Sequence, residues 1–165
     1  MIRTLTIVYS SATGHTEFVV DAVEAALKGN ADLRIIRRKA ETTQPEDLTK
    51  AEVLLLACGS WNTGGAEGQL SPYMHDLLTG RAKDADLKGK PAAAIGLGDE
   101  RYYFTARAAD KLTEYLQGHG AKLLLPTLKI VNDPFDQTKK VTAWVKEFAA
   151  KIDALPATIT SPKKT

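Results

Sequence analysis

A chain of 165 residues, 44% hydrophobic and 25% charged, has the size and balance of one water-soluble domain around a single core. No apolar run approaches the roughly 20 residues of a membrane helix, and the single cysteine, Cys58, excludes an internal disulfide and a multi-cysteine metal site. A formal net charge of +2 makes no case for nucleic acid, and three scattered histidines make none for a metal.

The N-terminal MIRTLTIVYS runs directly into a strand-like pattern without the cleavage region of a signal peptide, so a reducing cytoplasm is the expected setting. From there, apolar β-branched runs alternate with helical periodicity. Strands are predicted at 5–9, 33–36, 53–57, 92–97 and 123–131, and helices at about 16–28, 71–79, 105–118 and 136–151. Three of the strands are almost continuously apolar, which suits a parallel sheet covered on both faces. In the last helix Val141, Trp144, Val145 and Phe148 fall on one face, and Asp133-Pro134 precedes its first turn. The second crossover, KAETTQPEDLTK, reads as a loop with one short turn, and Pro126 marks the fifth strand as an edge or a bulge. On this reading residues 1–152 are one domain, and 153–165 have the composition of a flexible tail. Five β-α units predict an α/β doubly wound open sheet of five parallel strands, with helices on both faces.

In such a sheet, ligands bind outside the carboxyl ends of the strands, where strand order reverses. That directs attention to loops 10–16, 58–70 and 98–104. The first is Ser11-Ala12-Thr13-Gly14-His15-Thr16 at the start of a helix, where backbone N–H groups can bind a phosphate unaided. Three hydroxyls add donors, and Gly14 permits close approach of the backbone. There is no lysine for G-x-x-x-x-G-K-[ST] and no G-x-G-x-x-G; the near match GLGDER at 96–101 ends in arginine. The same residues also suit a capped turn that binds nothing. The second loop, CGSWNTGG, places Trp61 among Gly, Asn and Ser just past a buried strand. An indole there either covers something flat or folds back over the sheet end. Cys58 reads as an inert core residue. The third loop, GLGDERYYF, brings Tyr102, Tyr103 and Phe104 to another strand end, where one of them can also anchor the first turn of the next helix. Aromatics on two ligand-facing loops beside a phosphate site suit a planar aromatic ligand with one phosphate. FMN meets both conditions.

Taken together, the three loops resemble those of the flavodoxin family. SATGHT resembles its phosphate loop, (S/T)-x-T-G-x-T; GSWNTG resembles the loop whose Trp covers one flavin face; GLGDERYYF resembles the loop whose Tyr covers the other. The resemblance runs over residues 1 to about 150 and lacks the insertion of long-chain members, so it implies a short-chain, flavodoxin-like sheet of order 2-1-3-4-5. Carried over residue by residue, it implies that Ser11, Thr13 and Thr16, with the amides of Ala12 through Thr16, bind the phosphate. Trp61 and Tyr102 would enclose the ring, beside Tyr103 and Phe104. Backbone groups of Ser60, Trp61, Asn62, Thr63 and Gly64, and of Gly98 and Asp99, would line its polar edge. No catalytic residue and no metal are expected.

The implied function is a low-potential one-electron carrier. It would pass electrons from a flavodoxin or ferredoxin reductase to an acceptor enzyme through a stabilised neutral semiquinone. A monomer that docks transiently, with no nucleic-acid or membrane partner, is expected. The alternatives are an FMN-dependent NAD(P)H or quinone reductase on the same fold, and a carrier dedicated to one enzyme such as a cytochrome P450 or ribonucleotide reductase. Three features depart from the family's usual pattern. Asn62 stands where Gly is common, the chain is slightly basic where the family is usually strongly acidic, and Arg101 and His15 lie in loops bordering the cofactor. Arg101 reads either as a cofactor neighbour or as a solvated charge, and His15 can take a proton beside the phosphate. Asparagine enters the left-handed region less freely than glycine. Asn62→Gly is therefore expected to stabilise the one-electron-reduced flavin, seen as a wider separation of the two midpoint potentials in a redox titration.

Overall fold

Strands and helices alternate along the chain as the apolar runs require. The computed structural model describes residues 2–61, 68–101 and 105–157. In chain order these hold β1 (Arg3–Ser10), α1 (His15–Leu27), β2 (Leu33–Lys39), α2 (Pro45–Thr49), β3 (Val53–Trp61), β4 (Gln69–Leu70), α3 (Pro72–Asp76), β5 (Pro91–Gly98), α4 (Arg107–Gly118), β6 (Lys122–Leu123), β7 (Leu128–Val131) and α5 (Thr138–Asp153). The sheet runs β2-β1-β3-β5-β6, with β7 also on β5, and all of these pairs are parallel. This is the expected order 2-1-3-4-5 with the fifth strand cut in two. β4 adds a short antiparallel pair with the end of β3, Ser60 opposite Leu70 and Trp61 opposite Gln69.

The cut lies at Pro126. Between the pairs Ala92–Leu123 and Ile95–Leu128 the edge chain spends two more residues than β5 does, so it bulges outward. Proline cannot donate to the ladder, and the indole N–H of Trp144 takes up the Pro126 carbonyl at 2.9 Å.

Side chains alternate across the sheet and sort into two cores. Leu5, Ile7 and Tyr9 of β1, Val53, Leu55 and Ala57 of β3, and Ala93, Ile95 and Leu97 of β5 pack under α1 and α5, where Val19, Val20, Val23, Val141, Trp144, Val145 and Phe148 are buried. The opposite residues Val8, Leu54, Leu56, Cys58, Ala92 and Ala94 meet Leu48 of α2, Met74 of α3, and Ala108, Leu112 and Leu116 of α4. The apolar face expected for the last helix is the face that α5 buries. Burial of a side chain as large as Phe148 contributes roughly 1.5–3 kcal/mol.

Several boundaries differ from the sequence reading. The second crossover holds a 3-10 turn at Ala40–Thr42 as well as α2, which begins at Pro45 with the Gln44 N–H donating to Asp47 at 2.8 Å. The helix expected over 71–79 is regular only through Asp76. It then widens, with the Ala82 N–H reaching the Leu77 carbonyl at 2.7 Å, and this turn ends at Arg81. A tail was expected to begin at 153. Helix α5 instead includes Asp153, Leu155 packs on the core, and the Arg3 guanidinium donates to the carbonyls of Leu155 and Pro156.

The α4 face of β5 is narrow because its side chains are small. A methyl group built on Gly96 would lie 2.3 Å from the Ala109 nitrogen, well inside contact distance. Gly96→Ala is expected to destabilise the fold by about 1–3 kcal/mol, the range for overpacking a close-packed interior. Urea unfolding checks this through a lowered midpoint with an unchanged slope.

Candidate cofactor site

Strands β1, β3 and β5 end side by side, and the loops that follow them enclose a cleft of about 860 Å³, within the range of small-molecule sites. Of the residues expected at a site, Ser11, Ala12, Thr13, His15, Thr16, Ser60, Trp61, Gly98 and Asp99 line it. Gly14 shapes the same loop with φ +89°, a conformation that glycine adopts without steric cost. Asn62, Thr63, Gly64, Tyr102, Tyr103 and Phe104 lie outside the described residues. The cleft is also lined by Arg101, which the sequence reading left open as a cofactor neighbour or a solvated charge, and by Ser10, Gly59, Gly68, Leu97, Glu100, Asn132 and Asp133, which it did not name as ligand residues.

Helix α1 starts without a side-chain cap. Ser11 Oγ accepts the Glu17 N–H at 3.2 Å, and the Phe18 N–H returns to the Gly14 carbonyl at 2.9 Å. The amides of residues 12 to 16 have no protein acceptor among the described residues. Five N–H groups with the positive end of the helix dipole behind them form an anion cradle. Thr16 is buried within it, while Ala12, Thr13 and His15 are exposed. The Ser11–Glu17 bond is the one side-chain contact of the kind that the capped-turn reading expects, and it leaves the amides of residues 12 to 16 without a protein acceptor among the described residues.

Gly59 forms the floor next to this cradle. A methyl group there would sit 3.7 Å from Trp61 Nε1 and 3.9 Å from Thr16 Oγ1, in the space between the indole and the threonine. Trp61 is 40% exposed at the end of β3, so its ring is offered to the cleft rather than folded into the core. His15 packs edge-on against Phe135, with ring centroids 5.3 Å apart, and Phe18 meets the same ring at 4.9 Å.

Two expected ligand residues prove to have structural work as well. Ser60 Oγ donates to the Leu97 carbonyl and accepts the Ala108 N–H, each at 2.9 Å, tying β3, β5 and the start of α4 together. Gly98 needs to be glycine because a methyl group would lie 2.1 Å from the Ala106 nitrogen, so its smallness serves helix packing. Cys58 is fully buried, and burial pushes its thiol up to about 12, which makes it inert as the sequence suggested.

A cradle of unpaired amides, an open floor at a glycine and an exposed indole fit a flat ligand with one phosphate. The sequence profile of the family described as Flavodoxin matches residues 7–144. A flavodoxin of Maridesulfovibrio salexigens is 31% identical over 88% of this chain and 97% of its own. The chain belongs to the flavodoxin family. Oxidised flavodoxin 2 of Bacillus cereus, 28% identical, superposes with a TM-score of 0.78 over 90% of this chain and 99% of its own. Flavodoxin 1 of the same organism, at 24% identity, shares the fold with a TM-score of 0.80 over 93% and 99%. Flavodoxins bind FMN and carry electrons; they are not enzymes with a substrate of their own.

For a flavodoxin, the charge around the cleft matters more than the charge of the whole chain. Asp99, Glu100 and Asp133 line it together with one guanidinium, Arg101. Arg101 grips Asp99 through both carboxylate oxygens at 2.5–2.9 Å, and its backbone N–H also donates to Asp99 at 2.9 Å. These hydrogen bonds hold the Asp99 carboxyl below its ordinary range. Because the folded value is depressed, any stabilisation from the pair is present above the unfolded aspartate pKa of about 3.9 and is lost as pH falls through the folded value. Arg101→Gln is expected to move the Asp99 midpoint up toward that ordinary value, as read by carboxyl carbon NMR titration.

Proposed function

We propose that this chain is a short-chain FMN carrier that takes single electrons from a reductase and delivers them to an acceptor enzyme. In this reading the amides of 12–16 and the hydroxyls of Ser11, Thr13 and Thr16 hold the phosphate. Trp61 covers one face of the ring, and Tyr102 the other. Backbone groups of Ser60 to Gly64 and of Gly98 and Asp99 meet the polar edge, next to Tyr103 and Phe104. The observation that carries it is the set of five helix-start amides with no protein acceptor among the described residues, in a loop without lysine or arginine.

FMN supplies one-electron chemistry when bound. What the protein contributes is binding, exclusion of water and a fixed field. The cradle fixes the phosphate without adding a cationic side chain. Asp99, Glu100 and Asp133 make the cleft more negative than the net charge of +2 suggests. That field opposes further negative charge on the ligand and so favours a low potential. Electron transfer to redox partner proteins follows from the family. A monomeric cytoplasmic protein that docks transiently on a reductase and an acceptor is the specific form proposed here. Among the described residues no helix is long and apolar enough to cross a membrane.

The reconstituted protein is expected to show the visible bands of bound flavin and to be reduced rapidly only when a reductase accompanies NADPH. Fast reduction by NADPH alone would instead make it a reductase on the same fold. Thr16→Val is expected to weaken FMN binding about 10-fold, the scale of one hydrogen bond to a charged group. Riboflavin, which lacks the phosphate, should bind as before; fluorescence titration of both ligands separates the two effects.

A further inference from the structure

The loop after β5 lines the cleft, and its shape depends on a residue from outside it. β7 pairs with β5 up to Val131 opposite Gly98. Asn132 then turns into the left-handed region at φ +68°, a conformation that asparagine tolerates better than most side chains. Its backbone N–H donates to the Gly98 carbonyl at 2.7 Å, and its Oδ1 accepts the Glu100 N–H at 2.9 Å. One residue therefore grips the loop on both sides of Asp99. The next amide, that of Arg101, is held by the Asp99 carboxylate at 2.9 Å.

With Glu100 and Arg101 engaged, the amide of Asp99 is the loop N–H left without an acceptor among the described residues. Gly98, Asp99, Glu100 and Asn132 all line the cleft. We infer that Asn132 is a positioning residue for the ring end of the ligand, holding loop 98–101 so that the Asp99 amide is kept for the cofactor. This rests on the FMN reading of the cleft and adds a determinant that lies in none of the three loops resembling the family's. Asn132 acts through the loop, and its own side-chain carbonyl is already used by Glu100.

Two substitutions test it. Asn132→Gly keeps the backbone conformation and removes the acceptor; Asn132→Asp keeps an acceptor at the same place. Affinities for FMN and riboflavin are measured by fluorescence titration, with amide exchange at Glu100 and the urea midpoint followed in the flavin-free protein. In the glycine variant both dissociation constants are expected to rise by the same factor, about 3–10-fold for one lost hydrogen bond. Exchange at Glu100 quickens, and the urea midpoint stays put. The aspartate variant restores both affinities to within about threefold of wild type and restores the Glu100 protection. Unchanged affinities in the glycine variant, a loss confined to FMN, a matching fall in the urea midpoint, or no rescue by aspartate each overturn the positioning role while leaving the FMN reading intact. A wild-type protein that binds neither flavin overturns the FMN reading, and the positioning role with it.

Discussion

Helix α4 lies so close to β5 that a single methyl group at Gly96 or Gly98 would overlap the backbone of Ala109 or Ala106. Much of the cleft depends on that contact. It brings the Ala108 N–H within reach of Ser60 Oγ, which also holds the Leu97 carbonyl, so that the ends of β3 and β5 and the start of α4 become one unit. At this contact Ala106, the residue that Gly98 meets, takes φ +52°, an uncommon conformation for a residue with a Cβ. Strain of this kind persists only where surrounding packing over-determines it, and the buried Ala108, Ala109, Leu112 and Leu116 supply that packing. Core geometry here sets the position of a loop that faces the ligand.

Net charge and local charge point in opposite directions in this chain. Its formal +2 would suggest a weak or even positive field at the cofactor. Yet among the described residues three carboxylates line the cleft against one arginine, and that arginine binds Asp99. Many of the basic residues lie elsewhere, for example Arg34, Arg37 and Arg38 on the edge strand β2 and Lys139, Lys140, Lys146 and Lys151 on α5. Screening over a Debye length of about 8–10 Å lets a protein keep a negative site on a basic body. Basic residues on an edge strand also discourage pairing with another chain. Long-range encounter with a partner, by contrast, responds to the whole distribution, so this member is not bound to the strongly basic partners that an acidic surface selects.

The sheet and the cleft-lining loop at the start of α1 were legible in the sequence because both rest on local signals: β-branched apolar runs, and a run of small hydroxylated residues where a strand gives way to a helix. Trp61 was legible for a similar reason, an indole in a loop too polar to bury it. Gly98 was readable as special but not as to why. Glycine at a ligand loop suggests backbone approach to a ligand, whereas the approach here is that of α4, which depends on a helix packed from across the sheet. Asn132 and Asp133 carried only the local sign of a turn, Asn-Asp-Pro, and Asp133 does accept the Phe135 N–H as that sign suggests. Their place beside the cleft follows from β7 pairing with β5, a relation between strands about thirty residues apart that no local pattern shows. The anchoring of the residues just after α5 is of the same kind, since Arg3 from the other end of the chain donates to the carbonyls of Leu155 and Pro156.

The uncharged phosphate loop connects these points. A lysine in the cradle would bind a phosphate more tightly, but its charge would act on everything within the same low-dielectric cleft. Backbone amides bind through short-range, directed dipoles whose influence falls away within the first helical turn. They can hold an anion firmly while leaving the potential around the ring to other groups. On the proposed reading the carboxylates on the loops after β5 and β7 set that potential, with Arg101 bound to one of them, Asp99. On the same reading, affinity and redox tuning fall to different loops of one cleft. His15, in the loop at the start of α1, lines the cleft and packs edge-on against Phe135 from the segment after β7.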